Sequence, residues 1–116
     1  MKRFSSNTPI QNSYLVRLLN GNIEMARSIV DEIINDIPWC LDQVDNHLES
    51  DNKEEAILYV LKAKSAFTVL QDQQLANDFI EVETLAKEGN WENVQNRFVH
   101  IKERSIDFIN ELKSAA

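Results

Sequence analysis

The sequence predicts an all-α protein, an up-down antiparallel four-helix bundle with a short additional N-terminal helix. Three observations carry this reading. The 116 residues include only two Gly and two Pro, too little turn chemistry for a many-stranded β fold. Apolar residues recur three and four apart through most of the chain, the period of one helix face. The polar junctions between these stretches are short, so sequential helices should be antiparallel neighbours around one core.

The first segment is brief. Thr8-Pro9 reads as a helix cap followed by Pro at the first helical position. Ile10, Tyr14 and Leu18 follow at i, i+4 and i+8, and Asn20-Gly21-Asn22 ends the helix and offers Asn22 as the next cap. The second segment runs from Ile23 to about Leu48. Its stripe is Ala26, Val30, Ile33, Ile37, Leu41, Val44 and Leu48. Pro38 lies inside it and removes one backbone donor. The stripe keeps its phase across Pro38, which favours a kink over a break.

Glu49-Ser50-Asp51-Asn52 is a polar loop. The next helix is expected from about Lys53 to Leu70, with Ile57, Val60, Leu61, Phe67 and Leu70 as its apolar residues. Lys62, Ala63, Lys64, Ser65 and Ala66 make its middle small or basic. After Gln71-Asp72-Gln73-Gln74, a further helix carries Leu75, Phe79, Val82 and Ala86 and stops at Gly89, a residue suited to the left-handed cap. Asn90 can cap the last helix, where Trp91, Val94, Phe98, Ile101, Ser105, Phe108 and Leu112 alternate three and four apart. That is a coiled-coil-like seam suited to a left-handed bundle. Residues 1–116 are thus one domain, with 1–8 and 114–116 expected to be loose ends.

Composition narrows the partners. Nineteen acidic against twelve basic residues leave a net charge of −7, a poor match for nucleic acid or an anionic membrane surface. No apolar run of signal-peptide length follows Met1-Lys2-Arg3, and none approaches the roughly 20 residues that span a bilayer. Cys40 is the only cysteine, so no disulfide within the chain or cysteine-based zinc cluster can form. A cytoplasmic protein is expected.

Catalytic signals are scarce. The sequence has no Gly-rich phosphate loop, no HExxH and no Glu-x-x-His pair, so no enzyme activity, cofactor or metal is expected. Glu81, Glu83, Glu103 and Asp107 read as solvated helix faces. His100 is expected to face water, since its i±3 and i±4 neighbours are Asn96, Arg97, Glu103 and Arg104. His47 reads as a residue near a helix C-terminus, favoured there by the helix dipole. Trp91 is expected in the core. Trp39 lies off the main stripe and is expected to pack the N-terminal helix against the bundle. Cys40 reads as a small, partly buried hydrophobe.

The order of these features resembles the histidine-containing phosphotransfer (HPt) domain of multistep phosphorelays. Asn20-Gly21-Asn22-Ile23-Glu24-Met25 looks like that family's Gly-Asp-acidic-Leu entry into its first bundle helix. Ile37-Pro38 with Leu41, Val44 and Leu48 looks like its Pro-containing continuation, and Asp51 like its loop Asp. Leu75-Ala76, Phe79, Val82-Glu83 and Gly89-Asn90 resemble Leu-Ala…Leu-Glu…Gly-Asp in the following helix and turn. The resemblance covers about residues 18 to 113.

Active members of the family read Ala-His-x-Leu-Lys-Gly on the helix that carries the phosphate. The matching stretch here is Leu58-Tyr59-Val60-Leu61-Lys62-Ala63. Lys62 and Leu61 match the family's Lys and Leu, Tyr59 stands in the position of the phosphorylated His, and Ala63 replaces the Gly. About two extra residues precede Leu75. A phenol has a pKa of ~10, and its phosphate ester is too stable to return the group to a carboxylate. Relay chemistry therefore does not carry over to Tyr59.

Docking can survive without it. Tyr59, Lys62, Ala63 and Ala66 fall at i, i+3, i+4 and i+7 on one helical face. In active members that face meets the receiver domain of a response regulator. The resemblance implies a partner-binding face with Tyr59 as aromatic anchor and Lys62 as charge handle. The partner would be a receiver domain or a hybrid histidine kinase. Two other readings stand beside it. One is an active phosphotransfer protein using His100 or His47. The other is a helical interaction module unrelated to phosphorelays, dimerising or docking a partner helix. Lys62 and Lys64 make a small basic spot on an acidic chain.

Overall fold

The computed structural model describes residues 16–17 and 19–115. Within them stand four helices: α1 (Ile23–Glu49), α2 (Lys53–Val69), α3 (Gln73–Lys87) and α4 (Trp91–Ala115). Each packs on the next, and α1 also meets α4, which closes the up-down four-helix bundle. Short connections at 50–52, 70–72 and 88–90 set the antiparallel order. Cys40 meets Tyr59 across α1 and α2, and Lys64 meets Glu83 across α2 and α3. Among the described residues there is no strand.

Local chemistry sets the helix ends. Asn22, Asn52 and Asp72 cap α1, α2 and α3, their side-chain oxygens accepting from the N–H groups of Met25, Glu55 and Leu75. The expected cap at Asn22 is therefore present. Gly21 and Gly89 take positive φ, 82° and 76°, as the two helix-ending glycines should. Asn20, Asp51 and Gln71 also take positive φ without being glycine. Of the expected N-terminal helix, Val16 and Arg17 are helical, and the Val16 carbonyl accepts from the N–H of Gly21. Its start at Thr8-Pro9, with Ile10, Tyr14 and Leu18, lies outside the described residues. So do 1–8 and Ala116.

Pro38 does not divide α1, which is helical from Ile23 through Glu49. Its buried stripe is Ala26, Val30, Ile34, Ile37, Leu41 and Val44, with Cys40 alongside. Ile34 replaces the expected Ile33, which is half-buried, as is Leu48. In α2 the buried positions are Ala56, Val60, Ala63 and Phe67. Two alanines thus take places expected for Ile57 and Leu61, both half-buried. Ala63 lies beside Ile33, Ile37 and Cys40 of α1.

In α3, Leu75, Phe79, Val82 and Ala86 are buried as expected. The α4 seam is buried at Val94, Phe98, Ile101, Ser105, Phe108 and Leu112. Trp91 departs from expectation. It is half-buried at the boundary, with Lys53 Nζ 5.5 Å from its ring centre. Three aromatic rings centre the core: Phe67 stacks on Phe79 at 5.5 Å and meets Phe108 at 5.9 Å. Burying side chains of this size is worth roughly 1.5–3 kcal/mol each. Ser105 is fully buried and donates its hydroxyl to the Ile101 carbonyl at 2.7 Å, so no polar atom there is left unsatisfied. No helix among the described residues is long and apolar enough to cross a membrane.

Candidate functional site

The residues singled out on α2 gather around Tyr59. It occupies a half-buried position facing α1. The Trp39 ring meets it edge-on at 5.5 Å, and the His47 ring lies nearly parallel to it at 5.6 Å. From its own helix, Lys62 places its ammonium 4.8 Å from the Tyr59 ring centre, a cation–π contact. Two helices therefore build a patch of three rings and one cation. Trp39, Gln43 and His47 repeat every fourth residue of α1, and that spacing aligns the two outer rings with Tyr59.

Beside this patch lies a hollow of about 350 Å³ lined by Ile33, Asp36, Ile37, Trp39, Cys40, Lys62, Ala63 and Ala66. Ala63 is only 1% exposed and Ala66 half-buried, so they form its floor rather than a projecting surface. Lys62 is exposed. Trp39 is 56% exposed, and its described ring contact is Tyr59. Its expected packing on the N-terminal helix lies outside the described residues. Cys40 is 7% exposed and donates to the Tyr59 carbonyl at 3.2 Å. Burial raises the thiol pKa to about 11, with Lys62 pulling against and Asp36 adding to the shift.

Two expectations about charge need correction. Lys64 is not part of an open basic spot. It is half-buried and paired with Glu83 at 3.0 Å. Glu83 is accordingly not a solvated acid, because Lys87 also binds it at 3.1 Å. The hydrogen bonds from Lys64 and then Lys87 hold its carboxyl below the usual range. Periodicity pointed Glu83 outward, and only the α2–α3 pairing brings Lys64 onto it. Glu81 is ion-paired with Arg97. Glu103 and Asp107 are exposed as expected.

The two histidines separate clearly. His100 is exposed, in a polar hollow with Glu81, Asn96 and Arg97 on the α3–α4 side. His47 lies in the last turn of α1, as expected, and its half-buried ring also belongs to the Tyr59 patch, which that reading did not include. Its four-residue spacing from Gln43 and Trp39 was the available signal. Among the described residues no group of three or more His, Cys, Asp or Glu side chains could hold a metal ion.

No family model, curated protein or solved structure matches the chain.

Proposed function

We propose that this chain is an HPt-like signalling protein that binds a receiver domain, or a hybrid histidine kinase, without transferring phosphate itself. One observation carries the reading. Tyr59, which the resemblance sets in the place of the family's phosphorylated His, is covered by Lys62 and flanked by Trp39 and His47, with Trp39 at the rim of a largely apolar hollow. Such a surface has anchors but no reversible phosphoryl acceptor in Tyr59. Exposed aromatic side chains beside a pocket are the usual energetic centre of an interface, and Lys62 offers a cation to an acidic partner surface.

Binding to a panel of receiver domains from the same genome tests this. Tyr59→Glu should weaken binding at least about tenfold. Absence of binding throughout the panel defeats the proposal and leaves the chain an interaction module of another kind. Tyr59→His should accept phosphate from a phosphorylated receiver if the docking geometry is intact.

A second reading has one specific support. His47 stacks on Tyr59, so an imidazole already stands at the proposed docking face. Phosphotransfer through it would give the wild-type chain an acid-labile, base-stable label that His47→Ala removes and His100→Ala leaves.

A further inference from the structure

The hollow between α1 and α2 carries one acid and one base, and they stand on opposite walls. Asp36 comes from α1 and Lys62 from α2, with Ile33, Ile37, Trp39 and the two alanines between them. Neither charged group belongs to an ion pair among the described residues, whose pairs join Lys53 to Asp51, Lys64 and Lys87 to Glu83, Lys102 to Asp42 and Asp45, Arg97 to Glu81, and Arg104 to Asp78. Asp36 is thus open to an outside partner, and Lys62, whose ammonium rests on the Tyr59 ring, has no carboxylate partner among the described residues. Trp39 stands at the rim of the same hollow, more than half exposed.

We infer that this face pairs two copies of the chain about a two-fold axis. Trp39 of each copy sits in the hollow of the other, and Asp36 of each meets Lys62 of its mate. The argument is charge complementarity. A two-fold contact requires a surface that complements itself, residue i meeting j while j meets i. An acid and a base on facing walls satisfy that rule. A partner of a single sign would pair one of these charges and set the other against its like, which costs affinity. The apolar lining supplies the burial, and Trp is the side chain most often found as such an anchor. The net charge of −7 on each chain opposes association, and moderate ionic strength screens that long-range repulsion.

The contact would cover Lys62, Ala63 and Ala66, so self-association and receiver docking compete for one face. Sedimentation equilibrium of the full chain at moderate ionic strength tests the inference, with circular dichroism as the check on folding. A reversible monomer–dimer equilibrium is expected. Trp39→Ala should raise its dissociation constant at least about tenfold. Asp36→Lys and Lys62→Asp should each weaken it by a similar factor. Mixing those two single variants should restore association as a heterodimer, and the double variant should dimerise again on its own. A chain that stays monomeric at its highest soluble concentration overturns the inference, as does a dimer indifferent to these changes. A monomer that binds a receiver domain overturns it while sparing the docking proposal. A charge-swap-sensitive dimer that binds no receiver upholds it and removes that proposal.

Discussion

The thiol of Cys40 donates a hydrogen bond to the backbone carbonyl of Tyr59 across 3.2 Å, linking α1 to α2 directly beneath the aromatic patch. The donor exists only while the thiol is protonated, and burial keeps it so to about pH 11.

The first prediction concerns that proton. The folded pKa, about 11, lies above the ordinary 9.0. The unfolded chain therefore loses the proton first, and stability should fall as pH rises from about 9 to about 11. The full shift corresponds to about 3 kcal/mol. Cys40→Ala should flatten that part of the profile in urea titrations. In the native wild type, alkylation at pH 8 should be slow and should accelerate on unfolding.

Phe67 is fully buried and touches the rings of both Phe79 and Phe108. Phe67→Ala empties the centre of the core. It should cost about 3–5 kcal/mol in chemical denaturation. Phe67→Leu should recover much of that.

Lys102 of α4 holds Asp42, at 2.9 Å, and Asp45 of α1. Burial disfavours its charge, but the hydrogen bonds it donates to Asp45 and Asp42 outweigh that and raise its pKa above 10.5. This contribution is present below the ordinary lysine pKa and is lost as pH climbs through the raised one. Lys102→Met should cost about 1 kcal/mol at neutral pH. The gap from wild type should close in strongly alkaline solution.

Gln71 follows α2 with φ of 61°, a left-handed conformation that a Cβ disfavours. Gln71→Gly should stabilise the protein by about 1 kcal/mol, seen as a higher Tm. A lower Tm would mean that the Gln71 side chain contributes more than its backbone strain costs.

The helices were legible because their signals are local. Asn22, Gly21 and Gly89 mark boundaries through side-chain or backbone chemistry of one or two residues. The α4 seam from Val94 to Leu112 stands out because polar residues surround it. In α2 the signal was blurred, since Ile57, Leu58, Val60 and Leu61 leave little polar contrast. There the buried places fell to Ala56 and Ala63 ahead of the larger Ile57 and Leu61. Hydrophobicity alone does not report that. The Tyr59 patch was half-legible. Tyr59 and Lys62 share a helix and follow from spacing, whereas His47 joins them only once α1 folds back along α2. Lys64 with Glu83 is the same lesson in charge, a pair created by tertiary contact between two faces that each read as solvated.

The link from Lys102 to Asp42 and Asp45 joins residues 60 and 57 positions apart, against 19 for Cys40 with Tyr59 and for Lys64 with Glu83. Hairpin contacts can form while the chain is still largely open, but closing the longer loop costs more entropy. The bond between the first and last helices of the bundle should therefore form after the folding barrier. Removing it should hasten unfolding and leave the folding rate nearly unchanged. The lifetime of the folded bundle would then rest on the two helices most distant in the chain.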